Sequence, residues 1–394
     1  MSDREGFCIL PFTTVYAENN RVRLCCESTE RVEKYITTDN TIADIWNSDF
    51  YKQTRAEMLD GKLPDYCRIC QLNEQVGEES KRQWENSQFT KLIEDIDNFQ
   101  TVDSPLPINF DMSPSNKCNL ECVMCNGIVS TAIDKRVREY TQDSDFVIRP
   151  GQQWTEQYYY IDYIKENSSD IRQMKFAGGE PFLMPEVIDI IDYLVDSGDA
   201  PNIRISFITN GTVVRQNWLD KLRQFKDVKL NVSVDGVGEI GEYVRYPTKW
   251  STVDANLQKL AQLSQDNKNV RLSLSPVMHL LNAMHMDSVL EYAAVNNINI
   301  ALGMVWQASN EEYLSVKLLS NELRQQAHDK MQAVLEKYPD ISFNMGSGFI
   351  RNLIQTEYQP DQRATDKLKQ AVKYWDSHRE VKFTDLYPYL NYLI

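Results

Sequence analysis

From about Pro107 to Trp306 the chain keeps repeating one unit: a short β-branched run, a polar or Gly-containing turn, then an amphipathic stretch. That rhythm is βαβ and predicts a parallel sheet or barrel. The predicted strands are Ile108 to Met112, Met174 to Ala177, Arg204 to Ile208, Lys229 to Val234, Val270 to Leu274 and Ile298 to Val305. Between them, Val187, Ile188, Ile191, Leu194 and Val195 recur at helical spacing after Pro185, and Trp250 to Leu263 does the same. Right-handed crossovers put every strand C-terminus on one face, so chemistry is expected there.

The first hundred residues follow another pattern. Thr13 to Ala17, Asn19-Asn20 and Val22 to Cys25 predict a β-hairpin, Thr41 to Leu59 a helix, and Asn73 to Asn98 a polar helix. This stretch is expected to form a separate module. After Trp306 the chain turns helical, with Asn310 to Tyr338 the longest stretch. A chain of 394 residues exceeds one ordinary core. The expected division is 1–104, an N-terminal cysteine-bearing module; 105–308, a partial (β/α)6 TIM-type barrel of α/β class; and 309–394, a helical C-terminal region.

Charge narrows the function. Lys and Arg total 42 against 57 for Asp and Glu, a formal charge of -15 that would repel a phosphate backbone and argues against general nucleic-acid binding. The opening MSDREGFCILPF lacks a signal-peptide core, and no run is long enough to span a bilayer, so a soluble cytoplasmic protein with no membrane partner is expected. In that compartment eight cysteines point to metal ligation or burial rather than disulfides. With only four histidines, mixed Cys/His zinc sites start at a disadvantage.

The first barrel strand runs into a loop carrying Cys118-x3-Cys122-x2-Cys125. Three thiolates there can ligate three irons of a [4Fe-4S] cube and leave the fourth open to a small ligand. A structural zinc site wants four protein ligands, usually in C-x2-C pairs, and this group is complete at three.

With these cysteines the sequence resembles the radical S-adenosylmethionine (SAM) superfamily. Phe176-Ala177-Gly178-Gly179-Glu180-Pro181, closing the second strand, looks like that family's GGEP motif, which receives the methionine amino group of SAM. Gly178 and Gly179 would let the backbone approach the ligand, and Glu180 would offer a carboxylate to its ammonium. Asn210, in Ile208-Thr209-Asn210-Gly211, matches the family's TNG turn; Ser233 and Asp235 end the fourth strand where the family holds ribose or methionine groups. Arg245 is a candidate partner for a carboxylate of SAM or substrate, against the plainer reading of an exposed loop arginine. Met124, where the superfamily often has an aromatic residue, can still pack against adenine. The resemblance implies reductive cleavage of SAM to a 5′-deoxyadenosyl radical that takes a hydrogen atom from substrate.

Cys8, Cys25, Cys26, Cys67 and Cys70 form an earlier group. By spacing alone it reads as a zinc knuckle or an auxiliary cluster, zinc slightly favoured. It also resembles the twitch and SPASM auxiliary-cluster modules, in an N-terminal position, with Asn20 in place of the hairpin glycine before Cys25. Supporting segments look similar too: Glu74 to Ser80, Arg82, Asp376, His378-Arg379 and Tyr387-Pro388. The resemblance assigns Cys8, Cys25, Cys67 and Cys70 to one auxiliary iron–sulfur cluster and leaves Cys26 on the opposite face of its strand, as a buried thiol or a hydrogen-atom donor. Trp154, Tyr158, Tyr159 and Tyr160 line a substrate entrance or simply pack a helix on the sheet.

The expected activity is modification of a peptide or protein, since such modules accompany peptide-modifying enzymes, with a low-potential donor such as flavodoxin or ferredoxin. Alternatives are a radical enzyme acting on a small molecule or nucleotide, for which no Arg-rich triphosphate pocket is visible, and a metal-stabilised scaffold, against which the coincident SAM motifs argue.

Overall fold

The computed structural model describes residues 6–29, 34–75, 79–89, 106–143, 145–151, 154, 158–304, 312–345, 347–355 and 361–394. Its strands are β1 (Thr14–Glu18), β2 (Arg21–Arg23), β3 (Lys34–Tyr35), β4 (Asn109–Ser113), β5 (Glu121–Cys122), β6 (Gln173–Phe176), β7 (Arg204–Thr209), β8 (Asp227–Val232), β9 (Arg245–Tyr246), β10 (Val270–Leu274), β11 (Val277–Met278), β12 (Asn299–Ala301), β13 (Gly303–Met304) and β14 (Phe343–Met345). Ten of these form one sheet in the order β14-β12-β10-β8-β7-β6-β4-β1-β2-β3. From β14 to β1 neighbours run parallel, and only the β1-β2-β3 hairpin edge is antiparallel. The fold is α/β, and the six predicted strands lie side by side in chain order, as (β/α) winding requires.

The strands alternate rather than reading as continuous apolar runs. Phe110, Met112, Met174, Phe176, Ile205, Phe207, Val228, Leu230, Leu272 and Leu274 are buried on one face. The helices Pro185–Asp196 and Trp250–Asp266 bury Val187, Ile190, Ile191, Leu194, Leu257 and Leu260 in the same core cluster. The other face is polar. Tyr16, Asp111, Lys175, Ser206, Lys229 and Arg271 are direct cross-strand partners along six strands. The helix Lys81–Gln88 reaches this face, where Lys229 Nζ stands 5.8 Å from the Trp84 ring centre.

Several expectations change. The N-terminal hairpin, expected in a separate module, is built into the central sheet: β1 pairs in parallel with β4, Thr14 to Asn109 through Glu18 to Ser113. The expected divisions at 104/105 and 308/309 fall outside the described residues. In the hairpin turn it is Asn19, not Asn20, that takes the left-handed conformation (φ 53°), while the Asn20 carbonyl accepts Ile36 N–H.

The expected helix Thr41 to Leu59 is two helices, Ile42–Trp46 and Asp49–Leu59. Thr41 and Asp44 form a capping box on the first, and the extended Ser48 starts the second. The bend lets Trp46 and Tyr51 both enter the core, with the Arg55 guanidinium 4.5 Å from the Trp46 ring. The polar helix from Asn73 is likewise broken: Arg68–Gln75 ends before Ser80 caps Lys81–Gln88, and 90–98 lie outside the described residues. The last of the six predicted strands is shorter than expected, Asn299–Ala301, with Val305 outside the described residues. The long C-terminal helix starts at Asn321, capped by Ser320, rather than at Asn310. Among the described residues no helix is long and apolar enough to cross a membrane.

Candidate radical site and its four-thiol neighbour

The loop leaving β4 carries the cysteine triad. Cys122 is buried and Cys118 and Cys125 are half-buried. The loop is held by a two-strand ladder in which Cys122 faces Arg245 and Glu121 faces Tyr246. Ser130 caps the helix Thr131–Tyr140 and donates to the Leu120 carbonyl at 2.6 Å. Asn116 holds the start of the loop through its Nδ2 on the Gly127 carbonyl, 3.1 Å.

The loop after β6 presses against this one. Gly179 N–H bonds the Ser115 carbonyl (3.1 Å) and Glu180 N–H the Lys117 carbonyl (2.7 Å). A Cβ on Gly179 would lie 2.3 Å from the Lys117 oxygen, and Gly178 takes φ 100°. The close approach these glycines permit is therefore to the cysteine loop. Pro181 is buried at the start of a single turn, Pro181–Leu183.

Glu180, the residue expected to face an ammonium, makes its bonds within the chain. Its side chain is fully buried; Oε1 accepts Thr209 Oγ1–H (2.7 Å) and Phe182 N–H (3.0 Å), and Oε2 accepts Asn210 N–H (2.6 Å). Burial pushes its pKa up while these three donors pull it down. The carboxylate ties the β6 and β7 loops together. Asn210 reaches from that tie toward the triad, its Nδ2 3.0 Å from Asn119 Oδ1 and 3.9 Å from Cys118 Sγ.

Arg245 is not an exposed loop arginine. It sits in β9 with Nη1 3.8 Å from Cys122 Sγ, and the carboxylate it pairs with is Asp235 of this chain, Oδ2 to Nη2 2.5 Å. Asp235, fully buried, also accepts Val277 N–H at 2.7 Å, so it braces the β8 end against β11. Ser233, half-buried, continues β8 by donating N–H to the Thr209 carbonyl. Met124 is partly buried against the core.

The thiols are not equivalent. Cys122 is lowered, chiefly by the hydrogen bond from Cys125, with Arg245 and Arg379 adding to it against burial. Cys125 is raised by the same bond and by burial, and Cys118 is pushed up to about 12 by burial and Cys122. Crowded thiolates are stabilised by hydrogen-bond donors and by nearby cations, and Arg245 supplies one of the latter. Arg245 Nε and Arg379 Nε are enclosed donors with no acceptor. Three convergent sulfurs beside unsatisfied N–H groups suit a sulfide-rich, anionic cluster.

Cys8, Cys25, Cys67 and Cys70 line one cavity with Leu10, Glu27, Ser28, Leu63, Lys81 and Arg82. Cys8 is raised first by burial and then by its three companions Cys25, Cys67 and Cys70; Cys25 is pushed up to about 12, burial again first. The wall is built by Arg82, which clamps Glu74 (3.0 and 2.6 Å) and donates to the Phe7 carbonyl (2.8 Å). Cys26 is exposed and outside this lining, so it is not the buried thiol expected. Among the described residues no three His, Cys, Asp or Glu side chains gather tightly enough for a single metal ion. Tyr160 is fully buried and Tyr158 packs against it at 5.9 Å; these rings pack the core, with Tyr159 and the half-buried Trp154 beside them in sequence.

Comparison with known proteins matches the Radical SAM superfamily model over residues 112–293, which runs from the end of β4 past β10. The chain carries a radical SAM domain. In the radical SAM superfamily such a domain goes with a [4Fe-4S] cluster and SAM. Relatives include the AdoMet-dependent heme synthase of Methanosarcina barkeri, 31% identical over 119 residues, covering 30% of this chain and 28% of that one. A probable GTP 3',8-cyclase of Methanocaldococcus jannaschii is 24% identical over 229 residues, 55% of this chain and 66% of that one. The chain thus spans between 28% and 66% of these relatives' lengths. Among solved structures, Streptococcus suis SuiB bound to S-adenosylmethionine matches with TM-score 0.44 at 10% identity, covering 80% of this chain and 68% of that chain. Sequence reasoning missed Glu121 and Asn119 on the cysteine loop, and Asn282, whose Nδ2 donates to the Asp235 carbonyl (3.0 Å) while its Oδ1 accepts His279 N–H (2.7 Å); Arg379 entered only as part of His378-Arg379.

Proposed function

We propose that this protein is a radical SAM enzyme whose cluster is held by Cys118, Cys122 and Cys125 and which removes a hydrogen atom from a peptide or protein substrate. When bound, the cluster and SAM supply one-electron cleavage to methionine and a 5′-deoxyadenosyl radical, the electron coming from a low-potential donor such as flavodoxin or ferredoxin. The observation that carries the reading is the junction of three loops at the strand C-termini: the triad, the Gly178–Pro181 turn against it, and Asn210 tied to both through Glu180.

The chain's own residues hold and shield. Arg245 steadies the Cys122 thiolate, Asp235 fixes Arg245, and Gly178 and Gly179 let their turn press against the cysteine loop. Met124, Asn210 and Ser233 are the remaining residues proposed to contact SAM. Cys8, Cys25, Cys67 and Cys70 hold a fully ligated auxiliary cluster, for electron transfer or support. Reconstituted protein should hold iron and sulfide near about eight atoms each per chain; bound zinc would overturn the auxiliary assignment.

A second reading has a specific observation behind it. The polar face gathers Lys175, Lys229 and Arg271 from three strands; Lys175 is paired with Asp111 (3.0 Å) and Arg271 with Asp227, so among the described residues Lys229 is the cation of this row without an ion-pair partner. Lys229 has its pKa lowered by burial and by Arg271 and Arg204. A small anionic molecule against Lys229 is the alternative substrate. Hydrogen-atom transfer from deuterated candidate peptides, encoded beside the gene, into 5′-deoxyadenosine decides for the peptide; transfer only from small anions decides against it.

A further inference from the structure

Two guanidinium groups flank Cys122, and among the described residues only one has a counter-ion. Arg245 is neutralised by Asp235. Arg379, 3% exposed, donates Nη1–H to the Tyr243 carbonyl (2.6 Å) and Nη2–H to the carbonyl of Glu121 (2.8 Å), the residue before Cys122. Its plane lies against Tyr243, Tyr246 and Trp375, ring centres 4.7, 5.2 and 5.5 Å away. The Glu121 carboxylate is taken by Arg136 at 2.6 Å, with His378 Nε2 3.4 Å away. Among the described residues no carboxylate pairs with Arg379, and its Nε–H is enclosed without an acceptor.

A buried charge without a partner is strongly unfavourable, and carbonyl dipoles and aromatic faces offset only part of that cost. A cube on three thiolates is a net anion and gains one more negative charge on reduction, and nearby charge helps set its potential. We propose that Arg379 is the counter-ion of the cluster held by Cys118, Cys122 and Cys125, a positioning residue that raises its reduction potential from the C-terminal segment. This rests on the cluster reading above. Reduction adds one electron to the cluster and no proton, so the cation favours the reduced state directly. The last turn of Gln362–Asp376 and the residues after it thereby become part of the radical site, 254 positions after Cys125.

The test is an anaerobic redox titration of the reconstituted full chain, following the SAM-responsive electron paramagnetic resonance signal in the parent, Arg379→Lys and Arg379→Met. The Met variant should shift the reduction equilibrium roughly tenfold toward the oxidised state, about 59 mV for one electron, while Lys keeps the parent's value. A folded Met variant with the parent's potential overturns the proposal. A parent with no SAM-responsive signal sinks the cluster reading itself, and the two failures are distinguishable. Thermal midpoints close the cycle: Arg379→Met should cost stability in the holo parent and less, or nothing, in a Cys122→Ala background, where the arginine is unpaired anyway. Equal cost in both, or failure to fold in both, means the arginine serves only the Tyr243 and Glu121 carbonyls and overturns the proposal.

Discussion

Glu180 Oε2 lies 2.6 Å from the backbone nitrogen of Asn210, joining the turn after β6 to the turn after β7 inside the protein. Because the same carboxylate also accepts from Thr209 and Phe182, both loops are fixed where the cysteine loop meets them.

Glu180→Gln should therefore destabilise. An amide in this place presents N–H to at least one of three donors, leaving a buried group unsatisfied at about 1–3 kcal/mol. Urea unfolding of the cluster-free protein should show the loss, and SAM affinity of the reconstituted protein should fall with it. Unchanged stability would mean the carboxylate is not the tie described.

Gly179→Ala should displace the cysteine loop, since its Cβ would meet the Lys117 oxygen at 2.3 Å and that oxygen is backbone. The expected result is partial loss of iron after desalting, specific to the triad. Iron retention equal to the parent's would contradict the packing of the two loops.

Arg82→Gln should empty the other site selectively. Arg82 joins Glu74 to the Phe7 carbonyl beside Cys8, so its loss frees one wall of the four-thiol cavity. Iron should drop by about half while the SAM-responsive cluster stays, on the count of two four-iron cubes.

Stability should fall with acid in a defined window. His279 is fully buried and held neutral, its pKa lowered from 6.5 to about 4 chiefly by burial; His378, half-buried, is lowered to about 4 as well. A group with a depressed folded pKa lends stability that is whole above about 6.5 and is lost as pH falls through about 4. For His279 this amounts to about 3 kcal/mol. His279 Nδ1 accepts Leu281 N–H, so His279→Asn keeps an acceptor and loses the titration. Urea midpoints at pH 7 and 4.5 should fall less in the variant than in the parent.

The parallel strands of the sheet were legible because alternation is a local signal: Arg204–Thr209 and Val270–Leu274 match their expected positions within a residue. The triad and the Gly178–Pro181 turn were legible because each is contiguous. What was hidden depends on partners distant in sequence. Arg245 looked exposed because Asp235 and Cys122 lie 10 and 123 positions away, and the parallel pairing of β1 with β4 joins segments 95 residues apart. The basic row escaped notice for the same reason, one residue per strand. The break at Ser48 was hidden because a polar residue in a helical pattern reads as a solvated face until Trp46 and Tyr51 are seen to share the core.

The most direct measurement of the central claim is anaerobic incubation of the reconstituted chain with SAM and a low-potential reductant, followed by quantification of 5′-deoxyadenosine. The account predicts its formation by the parent and its loss in Cys118→Ala; a well-reconstituted parent that makes none, or a Cys118→Ala variant that makes as much, would contradict it.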